Sequence, residues 1–169
     1  RDYVDYCDPM DRFETYSEIH QGRQIHCEDG NFFKIEDGKE ELILKNDHEY
    51  FDLKFGSGFS EGALSPDGIH AAYRHLAGEE SFGHPCRIRG LDKGLYEMNL
   101  ETRETTAVVQ KNGWNPSYSP GGGYLLFGRE TEECLDDNYG ILSDIMVLNR
   151  TNWTAKSIGK GIHFFWLHN

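Results

Sequence analysis

"SPDGIHAAY" occupies residues 65–73 and "SPGGGYLLF" residues 119–127. Both read as a Ser-Pro turn that hands over to an apolar run. In each, Pro sets φ for the turn, and the Gly three positions after the Ser permits the chain to reverse. Aligning Ser65 with Ser119 places Leu64 opposite Tyr118, Pro66 opposite Pro120 and Gly68 opposite Gly122. Ala71 and Tyr73 then match Leu125 and Phe127, on alternate positions as a half-buried strand requires. One turn written twice predicts one structural unit used twice.

A second feature repeats beyond each turn. "GLYEMNLETRETTAVV" (94–109) lines up with "SDIMVLNRTNWTAKSI" (143–158) and more loosely with "GNFFKIEDGKEELIL" (30–44). Each is a strand, a polar hairpin turn and a second strand. At the C-terminus, "IHFFWLHN" (162–169) places Trp166 where Tyr118 and Leu64 stand, with His168-Asn169 in place of the Pro-Gly turn. No stretch keeps a helical apolar period over three turns, and turn residues interrupt the chain roughly every 8–12 positions. The chain is therefore all-β. A four-stranded antiparallel unit repeating at about 50 residues predicts a β-propeller; a sandwich or simple barrel demands no periodic copies of one turn. Within a single propeller segment, 1–169, the blades fall at 13–45, 60–110 and 114–159, with the inner strand of a further blade at 162–169.

The Ser-Pro-Asp-Gly turn and its apolar strand, followed after a loop by "LYEMNLETRE" (95–104), resemble the WD40-like (PD40) repeat of TolB-like β-propellers. The same repeat belongs to the propeller domains of prolyl-oligopeptidase-like enzymes. The resemblance extends over residues 30–169, although the last copy lacks Ser-Pro and the N-terminal copy matches chiefly in its outer strands. It implies a scaffold and leaves the activity open, because that scaffold carries many functions. "GIHFFW" (161–166) is in turn similar to the inner-strand start of oligogalacturonate-lyase-like propellers, where histidines of several blades gather a metal. His163 fits that pattern, while Asn115 and Glu61 depart from it. Closed propellers have about 4–8 blades, so the chain, which begins at Arg1, is expected to be part of a longer polypeptide. Closure by further copies of itself is the second expectation.

The sequence has 169 residues, 37% hydrophobic and 13% aromatic, so its core is built largely on rings. Its net charge is −12, from 29 acidic and 17 basic residues. That field repels phosphate backbones and anionic bilayers, which argues against a nucleic-acid partner. Basic partners or cations are favoured, a merely solvated acidic surface being the alternative. No apolar run approaches the roughly 20 residues of a membrane span. Cys7, Cys27, Cys86 and Cys134 contain no CxxC pair, which argues against a thiolate zinc site. An even cysteine count and the adjacent sequons Asn149-Arg150-Thr151 and Asn152-Trp153-Thr154 point to a secreted glycoprotein with disulfides. Cys86 and Cys134 fall in equivalent loops and are expected to pair, as are Cys7 and Cys27; buried free thiols are the alternative.

Propeller geometry puts the first–second and third–fourth strand turns on one face, where they are short here. The other face receives the long segments 45–58, 76–94 and 130–143, and long loops on a rigid scaffold mark a binding face. Counting back from each turn leads to Glu61, Asn115 and, at the last copy, His163, the equivalent starts of three inner strands. With Trp114 and His84 they are candidate ligand contacts. Glu with His suits a divalent cation or acid–base work, and capping of strands around channel water is the alternative. Asp136 and Asp137, beside Asn138, form a candidate calcium corner. No P-loop, dinucleotide fingerprint or HExxH motif occurs. The expected function is a non-catalytic extracellular module that binds a protein or glycan partner through its long-loop face. The alternative is a carbohydrate-active lyase or hydrolase with a metal at the channel mouth.

Overall fold

The computed structural model describes residues 15–28, 30–46, 58–77, 92–134, 141–161 and Trp166. They form twelve strands in three four-stranded antiparallel sheets, with no helix among them. The first sheet contains β1 (Thr15–Tyr16), β2 (Arg23–Glu28), β3 (Asn31–Glu36) and β4 (Lys39–Leu44). The second contains β5 (Gly58–Leu64), β6 (His70–Ala77), β7 (Asp92–Asn99) and β8 (Thr105–Val109). The third contains β9 (Gly113–Tyr118), β10 (Tyr124–Cys134), β11 (Ile141–Asn149) and β12 (Thr154–Gly161). Each sheet is a meander in chain order, because short turns join antiparallel neighbours and parallel ones need a crossover. The first sheet has four strands although its repeat is faint in sequence. β1 is short, and Ser17 extends its pairing: its N–H donates to Ile25 O at 2.9 Å and its Oγ accepts the Ile25 N–H at 2.9 Å.

The Ser-Pro turns are built alike down to single bonds. Gly68 N–H donates to Ser65 O at 2.8 Å, and Gly122 N–H to Ser119 O at 2.8 Å. Each hairpin closes with the Ser N–H on His70 O (2.8 Å) or Tyr124 O (2.9 Å). The Ser Oγ accepts the N–H of His70 at 2.9 Å and of Tyr124 at 3.1 Å, so the hydroxyl satisfies the first amide of the next strand. Gly68 and Gly122 stand at φ of 70° and 68°, in the left-handed region. In the first sheet the same corner is a tighter turn at Gln21-Gly22, with φ of 52° and 74°. Positive φ at both central residues is the type I′ geometry that suits strand twist.

The two glycines differ in what surrounds them, and this gives a test. Gly68→Ala is expected to cost about 1–2 kcal/mol for the left-handed backbone plus a steric penalty, because a Cβ there meets His20 O at 3.1 Å and Gln21 Cβ at 3.2 Å. Around Gly122 nothing lies closer than the 3.5 Å of Pro66, so Gly122→Ala should cost only the backbone part. Urea unfolding of both variants checks the order, and equal losses would remove the contact between the first two turns from the account.

Alternation along the strands stacks the sheets face to face. Ala71 and Tyr73 join Leu64, Met98, Leu100, Ile25, Cys27 and Phe32 between the first and second sheets. Their counterparts Leu125 and Phe127 join Tyr118, Met146, Leu148, Ala72 and Leu95 between the second and third. Successive residues of β6 thus serve opposite interfaces, which is why the middle strand of a doubly covered sheet reads as an unbroken apolar run. Strand register also corrects the alignment of the second feature. Asn99 lies opposite His70 and Asn149 opposite Tyr124, so these two asparagines are equivalent, one residue away from a match that starts at Gly94 and Ser143. Arg150 is therefore the counterpart of Leu100, and since a one-residue slip swaps faces, the shift decides what Arg150 touches.

Candidate functional site

The first strands of the second and third sheets carry the same irregularity. Ser60 pairs with Arg74 and Ala63 with Ala72, so Glu61 and Gly62 together oppose Tyr73. Trp114 pairs with Gly128 and Ser117 with Leu126, so Asn115 and Pro116 together oppose Phe127. Two residues against one make a β-bulge. Glu61 and Asn115 thus occupy equivalent backbone positions, as counting back from the turns places them. Asn115 is exposed, at a φ of 49°, and Pro116 sits where a missing N–H is tolerated. His163, His84, Asp136, Asp137, Cys7 and Cys86 lie outside the described residues. Cys27 is buried in the first interface, and Cys134 ends β10. Among the described residues there is no group of three His, Cys, Asp or Glu side chains placed to hold a metal ion.

Gly58-Phe59-Ser60-Glu61-Gly62 spells G-x-S-x-G, a pattern that makes a nucleophile only where a strand turns sharply into a helix. Here it runs along β5 with Ser60 paired to Arg74, so it builds no nucleophile elbow. Trp114 also has a local task. Its indole lies over Gly128, where no Cβ would fit, and its Nε1–H donates to the Oγ of buried Ser143 at 2.9 Å.

Just past the two bulges lies a cleft of about 460 Å³, within the size range of small-ligand sites. Gly62, Ala63 and Leu64 of β5 form one wall, and Pro116, Ser117 and Tyr118 of β9 another. Ser17, Glu18 and His20 close it from the first sheet, and Pro66 and Pro120 of the Ser-Pro turns form its far end. Three proline rings supply flat apolar surface, and Glu18, His20 and the two serines supply hydrogen-bonding groups. Trp166 reaches the same strand, donating its indole N–H to Ser117 O at 2.9 Å.

A buried charged cluster holds the Tyr118 wall in place. Tyr118 Oη–H donates to Glu97 Oε2 at 2.7 Å, while Arg150 reaches Glu97 through Nε (2.8 Å) and Nη2 (3.0 Å). Arg150 Nη1 also donates to Gly122 O at 2.6 Å, and the guanidinium stands 5.1 Å from the Tyr118 ring centre. Glu97 belongs to the second sheet and its partners to the third, so the cluster is a clamp between sheets. Burial, reinforced by the Glu97 charge and hydrogen bond, pushes the Tyr118 phenol well above its ordinary value of 10.0. In the unfolded chain that phenol ionises near 10, whereas in the folded chain it stays protonated. The phenol's contribution to stability is therefore complete below pH 10 and declines as pH rises further. Tyr118→Phe should cost about 1–2 kcal/mol at neutral pH for the lost bond and flatten the alkaline limb of a stability–pH curve. An unchanged alkaline limb would contradict this origin.

At the neighbouring turn, burial raises the Asp67 carboxyl, but bonds from the Ser65 hydroxyl and the Ile69 N–H outweigh it and bring the carboxyl below its ordinary value. The β11–β12 turn carries both sequons. Asn149 is half-buried and Asn152 exposed, and Trp153 between them and β12 donates its indole N–H to Ala107 O at 3.2 Å.

Among solved structures, the β-propeller domain of the Trilobed protease from Pyrococcus furiosus matches 92% of this chain, with a TM-score of 0.59 and 11% identity, over 45% of its own length. The fold is that of a β-propeller. A puromycin-hydrolyzing peptidase of Mycobacterium tuberculosis matches 88% of the chain (TM-score 0.56, 15% identity) over 24% of its own length. A chain of a nidogen/laminin complex also matches 88% (TM-score 0.55, 10% identity), over 49% of its own length. This chain thus spans less than half of each. No family model and no curated protein matches the sequence. In propeller terms the three sheets are blades, β1, β5 and β9 are their inner strands, and the cleft is a sector of the central channel. No helix among the described residues is long and apolar enough to cross a membrane.

Proposed function

We propose that this chain is the recognition part of an extracellular TolB-like β-propeller, which binds a protein partner at its channel and long-loop face. The channel cleft carries the proposal: it is concave, partly apolar, and walled by β5 and β9 from their bulges to the Ser-Pro turns. An extended segment or a loop of a partner suits such a groove, with its apolar side chains against the prolines and a basic group toward Glu18. The net charge of −12 favours a basic partner through steering. The nidogen/laminin structure, by its name a complex, offers a propeller of matching fold in a protein assembly. Glycan recognition at the same face and assembly with further copies of the chain belong to the same reading. A photo-crosslinking amino acid at Glu18, at Ser117 and within 78–91 of the full-length protein, with Lys156 of β12 as control, tests it in the source cells. Crosslinks to a defined protein from the first three positions support the reading; crosslinks confined to Lys156 overturn it.

A further inference from the structure

We propose that Asn152 is an N-glycan acceptor and that Asn149, in the adjacent sequon, is not. The inference rests on the extracellular reading above and names one modification that goes with it. The equivalent turns of the second and third blades separate motif from scaffold. Asn99 Oδ1 accepts the N–H groups of Glu101 (2.9 Å) and Thr102 (3.0 Å), and Asn149 Oδ1 accepts that of Thr151 (2.9 Å). Both asparagines are half-buried at the last position of a third strand, so the turn alone accounts for Asn149. The middle residue of its sequon, Arg150, is drawn against the second blade by Glu97.

Position 152 differs. Its counterpart is Thr102, whose Oγ1 accepts the Glu104 N–H at 3.3 Å, so the turn asks only for a side-chain oxygen. Here an amide supplies it, with Thr154 donating to Asn152 Oδ1 from Oγ1 (2.6 Å) and from N–H (3.2 Å). Asn152 and Thr154 are both exposed, and Trp153 is turned away onto Ala107. A glycan attaches at Nδ2 and leaves Oδ1 to keep both bonds, so the turn tolerates it. The sugar would stand at the head of β12, an edge strand exposed from Thr154 to Lys160, and would hinder the strand pairing that an open edge invites.

The test uses the full-length protein, produced in mammalian cells with its own N-terminus and, separately, behind an added secretory leader. The product is treated with peptide N-glycosidase F in heavy-oxygen water and its peptides are read by mass spectrometry. Label at Asn152 and none at Asn149 is expected. Asn152→Gln and Thr154→Ala should shrink the enzyme-induced mobility shift by one glycan, while Thr151→Ala, which breaks the first sequon and spares the Asn149 cap, should leave it whole. Label at Asn149, or at neither residue of leader-driven secreted protein, overturns the proposal. Labelling at Asn152 only behind the added leader would sink the extracellular reading and leave the acceptor assignment standing.

Discussion

Arg150→Ala is expected to destabilise the full-length protein by about 3–5 kcal/mol, because it strands the carboxylate of Glu97 in the blade interface. Glu97 is only 6% exposed, and Arg150 supplies two of the three bonds described for it. The size of the loss reflects an uncompensated charge rather than the worth of the pair, since assembling a buried ion pair also costs desolvation. The chain contains its own control for this distinction. In the preceding interface, Leu64 and Leu100 occupy the positions of Tyr118 and Arg150 and pack in an apolar cluster. The triple variant Tyr118→Leu/Glu97→Met/Arg150→Leu copies that solution and should recover more than half of the loss. Urea unfolding midpoints decide it: a triple variant as unstable as Arg150→Ala would show that the loss comes from packing and not from charge.

How much of this was legible in the sequence differs by kind of interaction. The Ser-Pro corners were legible because their chemistry is local: a hydroxyl, a fixed φ and a left-handed Gly within four residues. They served as a ruler, and the ruler placed Glu61 and Asn115 at matching bulges. The clamp was not legible. Arg150 lies inside a sequon in a polar turn, and nothing near it in the chain announces a partner as distant as Glu97. A one-residue offset between the hairpin copies also hid its equivalence to Leu100. Trp114, read from its position as a ligand contact, covers Gly128 and donates to Ser143, a cross-strand arrangement that only register reveals. The G-x-S-x-G spelling of 58–62 shows the converse, a chemical motif that its strand context empties. The cleft draws on Pro66, Pro116 and Pro120 together, and turn residues read singly as punctuation do not declare a shared wall.

Phe127→Ala should cost a further order of about 3–5 kcal/mol, as ring deletions in closed cores do. Phe127 is 1% exposed and packs with Tyr118, Leu125, Met146 and Leu148 against Ala72 and Leu95 of the second blade. Ile158→Ala on the exposed edge is the control, with a change within about 0.5 kcal/mol. The location of the damage carries more information than its size. The first interface is a separate cluster, and β6 feeds both through alternate residues, Ala71 and Tyr73 to one side and Ala72 to the other. If blade interfaces act as separable nearest-neighbour contacts, hydrogen exchange in Phe127→Ala should quicken in β7 to β11 and leave β2 to β4 unchanged. Uniform acceleration across all three blades would instead mean that β6 transmits the loss, making the stack one cooperative unit. That outcome would also change the expectation for the channel cleft, because its walls come from all three blades. With separable interfaces, Phe127→Ala loosens the β9 wall and leaves Ser17, Glu18 and His20 in place; with a single unit, the whole groove opens.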